Sequence, residues 1–209
     1  MKSSIPKSVV CRLSYILVQP LPPTFTTRTA LDAGLSYRDL YQMRDNGELI
    51  ELSRGVFRSV RAPAASFPDL LAVAYRAPIG VICAVSAAAA HDLTDEVPHR
   101  VQVAVPRGHH RPSITYPPVQ VFSFDVDTFD LGLTRLEAAP GEPVRIYDPA
   151  RTVVDLMRLR HQIGEPIALT VLRRYLRGRS AEPATLLEYA RALNVFGPVR
   201  AAVDVASAG

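Results

Sequence analysis

Between Thr26 and Val60 the chain reads TTRTALDAGLSYRDLYQMRDNGELIELSRGVFRSV, a stretch that constrains the fold more than any other. The pattern predicts a short helix over Thr27–Ala33 that stops at Gly34, because glycine takes a positive φ at little cost. Ser36 is a natural cap for a second helix running to about Asp45, and Asp39 places negative charge near its first turn. Leu35, Leu40 and Met43 fall on one face of that helix, with Leu31 reaching it from the first. Asn46-Gly47 turns the chain. Two β-prone segments, Leu49–Leu52 and Val56–Val60, then close around a Ser53-Arg54-Gly55 tip.

Two helices and a hairpin in this order have the grammar of a winged helix-turn-helix, which lays its second helix in a DNA major groove. The face of that helix away from the apolar residues carries Tyr37, Arg38, Tyr41, Gln42 and Arg44, side chains that reach phosphates and base edges. Arg54 adds a basic tip. The plainer alternative is a helix pair and hairpin that only pack together. Charge favours the DNA reading. Residues 1–62 hold nine Lys+Arg against five Asp+Glu, whereas residues 63–209 hold fifteen of each. The whole +4 excess therefore lies in the first 62 residues, the part of the chain that contains the reader, which suits binding by counterion release. Replacing Arg44 or Arg54 with Ala is then expected to weaken binding.

With 209 residues the chain has room for one large domain or two modest ones. We divide it at a proline-rich joint into 1–62 and 63–209. Residues 6–19 read as a first helix with Val9, Val10, Leu13, Ile16 and Leu17 on its buried face. Cys11 and Cys83 lack CxxC spacing and sit in apolar surroundings, which predicts buried, reduced thiols and a cytoplasmic protein. No apolar run is long enough to span a membrane, and no signal-peptide pattern is visible.

The second half reads as α+β, a small sheet followed by a helical end. A helix is expected from Pro68 to Arg76, capped by Ser66. A buried strand over Ile79–Ala84 follows, then a small-residue helix capped by Ser86. Val101–Val105 alternates as a strand and pairs with Val119–Phe124, across the long basic loop PRGHHRPSITYPP. Thr134–Ala138 and Val144–Tyr147 flank a turn at Ala139–Gly141. Asp148-Pro149 is a helix start, a cap followed by proline in the first turn, and Val153, Val154, Leu156 and Leu159 form the buried face. Helices near 166–178, 183–193 and 198–206 finish the chain.

Several residues invite a chemical reading. His109 and His110 in the loop have no Cys or His partner at ligand spacing, so no metal site is assigned, and the loop is either a plain solvated one or a contact for nucleic acid or an acidic partner. His91 reads as a satisfied, half-buried histidine. Arg151 and Asp155 share a helix face, and with Asp148 they read as a capping and ion-pair network. The minority reading makes Asp92, Asp148, Arg151 and Asp155 catalytic. From 151 to 179 seven arginines face two acids, a solvated face or a docking surface. Phosphate-loop, GxGxxG, kinase, GxSxG and HExxH motifs are absent.

AGLSYRDLYQMRDNGELIELSRGVF, VSAAAAHDL and YDPARTVVDLMRLR, in that order, resemble the AbiEi-type antitoxin family of bacterial toxin–antitoxin operons, mycobacterial members in particular. The resemblance implies a winged helix-turn-helix, then a C-terminal antitoxin domain. It implies two partners, operator DNA at its own promoter and a cognate AbiEii-type nucleotidyltransferase-like toxin, with no cofactor. The family's DNA-reading positions carry over to Tyr37, Arg38, Tyr41, Gln42, Arg44 and Arg54. An alternative is an atypical protein kinase that phosphorylates the toxin, which alone would call for ATP and Mg²⁺.

Overall fold

The computed structural model describes residues 21–207. The helix expected over 6–19, and Cys11 with it, lies outside the described residues. The described residues form a mixed α+β structure with two sheets.

The first sheet begins with a strand the sequence pattern did not reveal, β1 (Thr24–Thr26). Helix α1 (Thr27–Asp32) follows at once, capped by the Thr26 hydroxyl, which accepts from the Thr29 N–H at 3.1 Å. Gly34 sits at φ +94°, where a β-carbon would be strained. Helix α2 (Tyr37–Asp45) starts in a reciprocal cap: Ser36 Oγ accepts from the Asp39 N–H, and the Asp39 carboxylate accepts from the Ser36 N–H at 2.8 Å. Strands β2 (Leu49–Ser53) and β3 (Val56–Ser59) form the hairpin. The strand order is β1-β3-β2, all antiparallel. Phe25, Ala30, Leu40, Leu49 and Phe57 make the core under α1 and α2, with Leu35 and Met43 against it. Leu31, expected in that core, is only half-buried, and Ala30 takes its place because the short α1 turns its small face inward.

Helix α3 (Pro68–Arg76) then crosses to the second sheet. Its cap position is Phe67, without a side-chain hydrogen bond, so Ser66 does not cap it. Of the strand expected over 79–84 only β4 (Val81–Ile82) forms, and Ile79 is exposed. Helix α4 (Ala84–Ala90) starts earlier than expected and stops before His91. Ser86 lies in its first turn, where its Oγ accepts from the Gln102 N–H at 2.9 Å and ties the helix to β5 (Val101–Pro106) instead of capping.

The remaining strands are β6 (Val119–Phe124), β7 (Leu133–Ala139) and β8 (Glu142–Tyr147), in spatial order β6-β5-β4-β8-β7. β5 and β6 pair in parallel from Val101↔Val119 to Pro106↔Phe124. Parallel neighbours need a crossover of about a dozen residues, which explains the length of the loop between them. Residues Val101 to Val105 are all buried instead of alternating, because helices cover both sheet faces. On one face Ile82, Val101, Val103, Val144 and Ile146 meet α3. The other face presents Val81, Ala104, Phe122, Phe124 and Tyr147 to the helical end. That end comprises α5 (Pro149–Arg158), a short α6 (Arg160–Ile163) that was not expected, α7 (Glu165–Arg177), α8 (Pro183–Ala192) and α9 (Phe196–Ser207). Among the described residues no helix is long and apolar enough to cross a membrane.

Candidate functional site

The register of α2 puts Leu40 in the core and leaves Tyr37, Arg38, Tyr41 and Gln42 on the outward face, with Tyr37 59% and Tyr41 46% exposed. Two large exposed tyrosines beside an arginine and an amide have the composition of a binding surface, aromatic and arginine side by side. Neither Arg38 nor Arg54 enters an ion pair among the described residues. Arg54 stands exposed at the hairpin tip.

Arg44 is placed differently. Its guanidinium donates to Asp45 at 2.9 Å and to Glu51 at 3.2 Å, and it stacks over the Tyr41 ring at 4.8 Å. The Asp45 and Glu51 carboxylates hold it charged, above its already high pKa. Glu51 Oε1 also accepts from the Gly55 N–H at 3.0 Å. Glu51 thus fixes the hairpin against α2, a role that sequence alone did not reveal.

The long basic loop lies beside this hairpin. Ser53 Oγ donates to the Tyr116 carbonyl at 2.6 Å. Arg76 bridges the two, donating to the Arg54 carbonyl at 3.1 Å and the Ser113 carbonyl at 3.4 Å. His109, His110 and Arg111 are exposed, while Arg107 reaches Asp125 at 3.5 Å. Beneath the hairpin, Arg58 is buried. It donates to Thr24 Oγ1, donates to the Pro63 carbonyl at 2.6 Å and pairs with Glu142 of β8. Tyr75 adds a hydrogen bond to the Thr24 carbonyl at 2.8 Å. The first sheet is therefore bolted to the second through a buried ion pair.

The second constellation is interior. Arg151 and Asp155 have no exposed side-chain surface and pair at 3.0 Å. Arg151 also donates to the Thr128 and Leu131 carbonyls at 2.8 and 2.6 Å and lies 4.4 Å from the Tyr147 ring centre. Arg158 reaches the same Asp155 at 2.8 Å. Asp148 caps α5 by accepting from the Arg151 N–H at 2.7 Å and accepts the Tyr189 hydroxyl at 3.1 Å. Burial and that carboxylate raise the Tyr189 hydroxyl to about 12, so it stays a donor. His91 Nε2 donates to the Tyr147 carbonyl at 2.7 Å, which leaves Asp92 alone and exposed at the end of α4. The four carboxylate and arginine positions thus do not converge on an open cleft: three of them hold α5 to the sheet and the preceding loop. Among the described residues no group of three or more His, Cys, Asp or Glu side chains is arranged to hold a metal ion.

Residues 21–60 match the family model described as transcriptional regulator, AbiEi antitoxin. No curated protein matches the chain. Among solved structures, the RV2827C protein from Mycobacterium tuberculosis is similar at 14% identity and a TM-score of 0.48, covering 80% of this chain and 75% of that one. The stretch similar to that family comprises β1, both short helices and the hairpin.

Proposed function

We propose that the chain is a promoter-binding antitoxin. In this reading residues 21–60 are a winged helix-turn-helix, α2 is the recognition helix, and β2–β3 is the wing. Residues 1–62 form the DNA-binding domain and 63–209 the antitoxin domain, which acts against a nucleotidyltransferase-like toxin. The observation that carries it is the shared exposure of Tyr37, Arg38, Tyr41 and Gln42 on one face of α2, with Arg54 at the tip of a hairpin held to that helix by Arg44–Glu51. Arg38, Arg54 and the adjoining loop supply positive charge for phosphates, and the α2 side chains supply hydrogen-bonding groups for base edges. The family match over the same residues supports both the regulator and the antitoxin parts.

Fluorescence anisotropy on the DNA upstream of the gene tests the DNA half. Specific, steeply salt-dependent binding that Arg38→Ala and Arg54→Ala weaken is the expected result. Salt-independent binding, or binding untouched by both changes, would sink it. Gel filtration of the protein with the product of a neighbouring nucleotidyltransferase gene, followed by intact mass, tests the other half. Co-elution at unchanged mass is expected. A phosphate-sized mass gain on the toxin without co-elution would replace complex formation with covalent modification.

A further inference from the structure

The geometry points to a peptide-docking edge: β6 accepts an extended, acidic segment of a protein partner as an added strand. This surface lies on the second sheet and does not depend on the DNA reading.

β6 is the outermost strand of its sheet. The Val101 N–H donates to the Pro118 carbonyl and the Arg107 N–H to the Phe124 carbonyl, both at 2.8 Å. In parallel pairing this phase turns the main-chain groups of the even residues 118–124 toward β5. Val119, Val121 and Ser123 therefore point both N–H and C=O outward. Among the described residues no backbone hydrogen bond meets these outward groups. A row of alternating donors and acceptors on an unpaired, half-exposed edge is a template for another strand.

The edge opens into a groove of about 510 Å³ whose wall follows Gln120 through Phe124 and whose far side is Arg158, Leu159 and Gln162. An adjoining hollow of about 310 Å³ shares Gln120 and Gln162 and extends the groove along the strand. The charge is one-sided. Arg151 and Arg158 share a single carboxylate, Asp155, so one positive charge is left at the groove wall. The Arg158 Nε is buried without a partner. Arg111 reaches over the strand to Ser123 Oγ at 3.2 Å and enters no ion pair among the described residues. An incoming strand with carboxylates on one side would satisfy both arginines while its backbone satisfies the edge. A nucleic-acid strand fits less well, since its phosphates cannot donate to the outward carbonyls. A second copy of this edge would set arginine against arginine.

The probes are a fluorescein-labelled (Val-Glu)4 peptide, its (Val-Lys)4 counterpart and a dT8 oligonucleotide, each titrated onto the full chain. Backbone amides are followed by NMR. The expected result is binding of (Val-Glu)4, with the Val121 and Ser123 amides shifted and slowed in exchange. The lysine peptide should bind at least about tenfold more weakly, as should (Val-Glu)4 to Arg111→Glu. Val121→Pro removes an outward N–H that has no native partner, so it should abolish binding while far-UV circular dichroism is unchanged. If that variant fails to fold, Arg111→Glu and the amide shifts decide alone. Equal binding of the two peptides, no change at Val121 and Ser123 with (Val-Glu)4 up to about 1 mM, or preferential binding of dT8 at this edge would overturn the proposal. So would protection of those amides by self-association without peptide.

Discussion

Replacing Arg151 with Met is the most informative single perturbation of this fold. The side chain is fully enclosed, donates to Asp155, Thr128 and Leu131, and lies against Tyr147. Methionine fills part of the volume but donates nothing, so two carbonyls lose their donor and Asp155 keeps only Arg158. Removing one partner of a buried ion pair typically costs about 3–5 kcal/mol. For a chain of this size each kcal/mol lowers Tm by roughly 2–4 °C, so a fall of about 6–20 °C is expected. The pH dependence identifies the cause. Burial raises the Asp155 carboxyl above its ordinary value, opposed by Arg151 and Arg158. Without Arg151 the rise is larger. A raised carboxyl pKa favours folding below the unfolded value and loses that advantage as pH climbs through the folded value. The penalty of Arg151→Met should therefore shrink as pH falls from about 7 toward 5. The double change Arg151→Met/Asp155→Leu should recover part of the loss, since the fully buried charge is removed while the Thr128 and Leu131 carbonyls still lack their donor and Arg158 loses its carboxylate. Urea unfolding of the single and double variants at both pH values reads all of this. A single-variant loss below about 1 kcal/mol, or one that does not change with pH, would refute the structural role and reopen a chemical one for this pair.

Further consequences follow elsewhere in the chain. A β-carbon on Gly132, which sits at φ +70°, would come within 2.6 Å of the Arg151 β-carbon, so Gly132→Ala should destabilise by about 1–3 kcal/mol in the same unfolding assay. Ser36→Ala removes a reciprocal cap from α2 and should cost about 1 kcal/mol; a neutral result would mean that the Asp39 carboxylate alone suffices. Cys83 is wholly buried and its thiol is raised well above the usual value by that burial, so peptide mapping after native treatment with iodoacetamide should find it unmodified until the chain is unfolded. In DNA binding, Arg38→Ala and Arg54→Ala should each reduce the salt slope by about one, while Arg44→Ala, whose charge is already met by Asp45 and Glu51, should change it less.

What could be read from sequence was local. Thr27 to Ser59 follows turn and cap chemistry within a few residues, and Asp148-Pro149 announces α5 by the same means. The hairpin β7–β8 was legible from its turn. β1 is too short to show a pattern, and it exists because Phe25 pairs with Phe57 of β3. β5 breaks the expected alternation because its second face is covered by α3, which ends at Arg76, 25 residues before the strand begins at Val101. Ser86 looks like a cap by position, yet its hydroxyl is taken by the Gln102 N–H of β5. In each case a contact distant in sequence overrides a local preference.

Charge shows the same limit at the candidate site. The +4 excess of the first 62 residues comes from Lys2, Lys7, Arg12 and Arg61, because residues 26–60 hold five arginines against five acids, so within the reader segment placement matters more than net charge. Arg58 is spent inside, against Glu142, where it joins the two sheets. Arg44 is spent at the surface, fixing the hairpin to α2. In the proposed DNA-binding reading, the groups left to meet phosphates include Arg38, Arg54 and the loop that Ser53 and Arg76 hold beside the hairpin. In that reading, some arginines that look like DNA contacts in the sequence instead orient the exposed ones. A site built this way depends on two kinds of positive charge, and only mutation coupled to both salt slope and stability separates them.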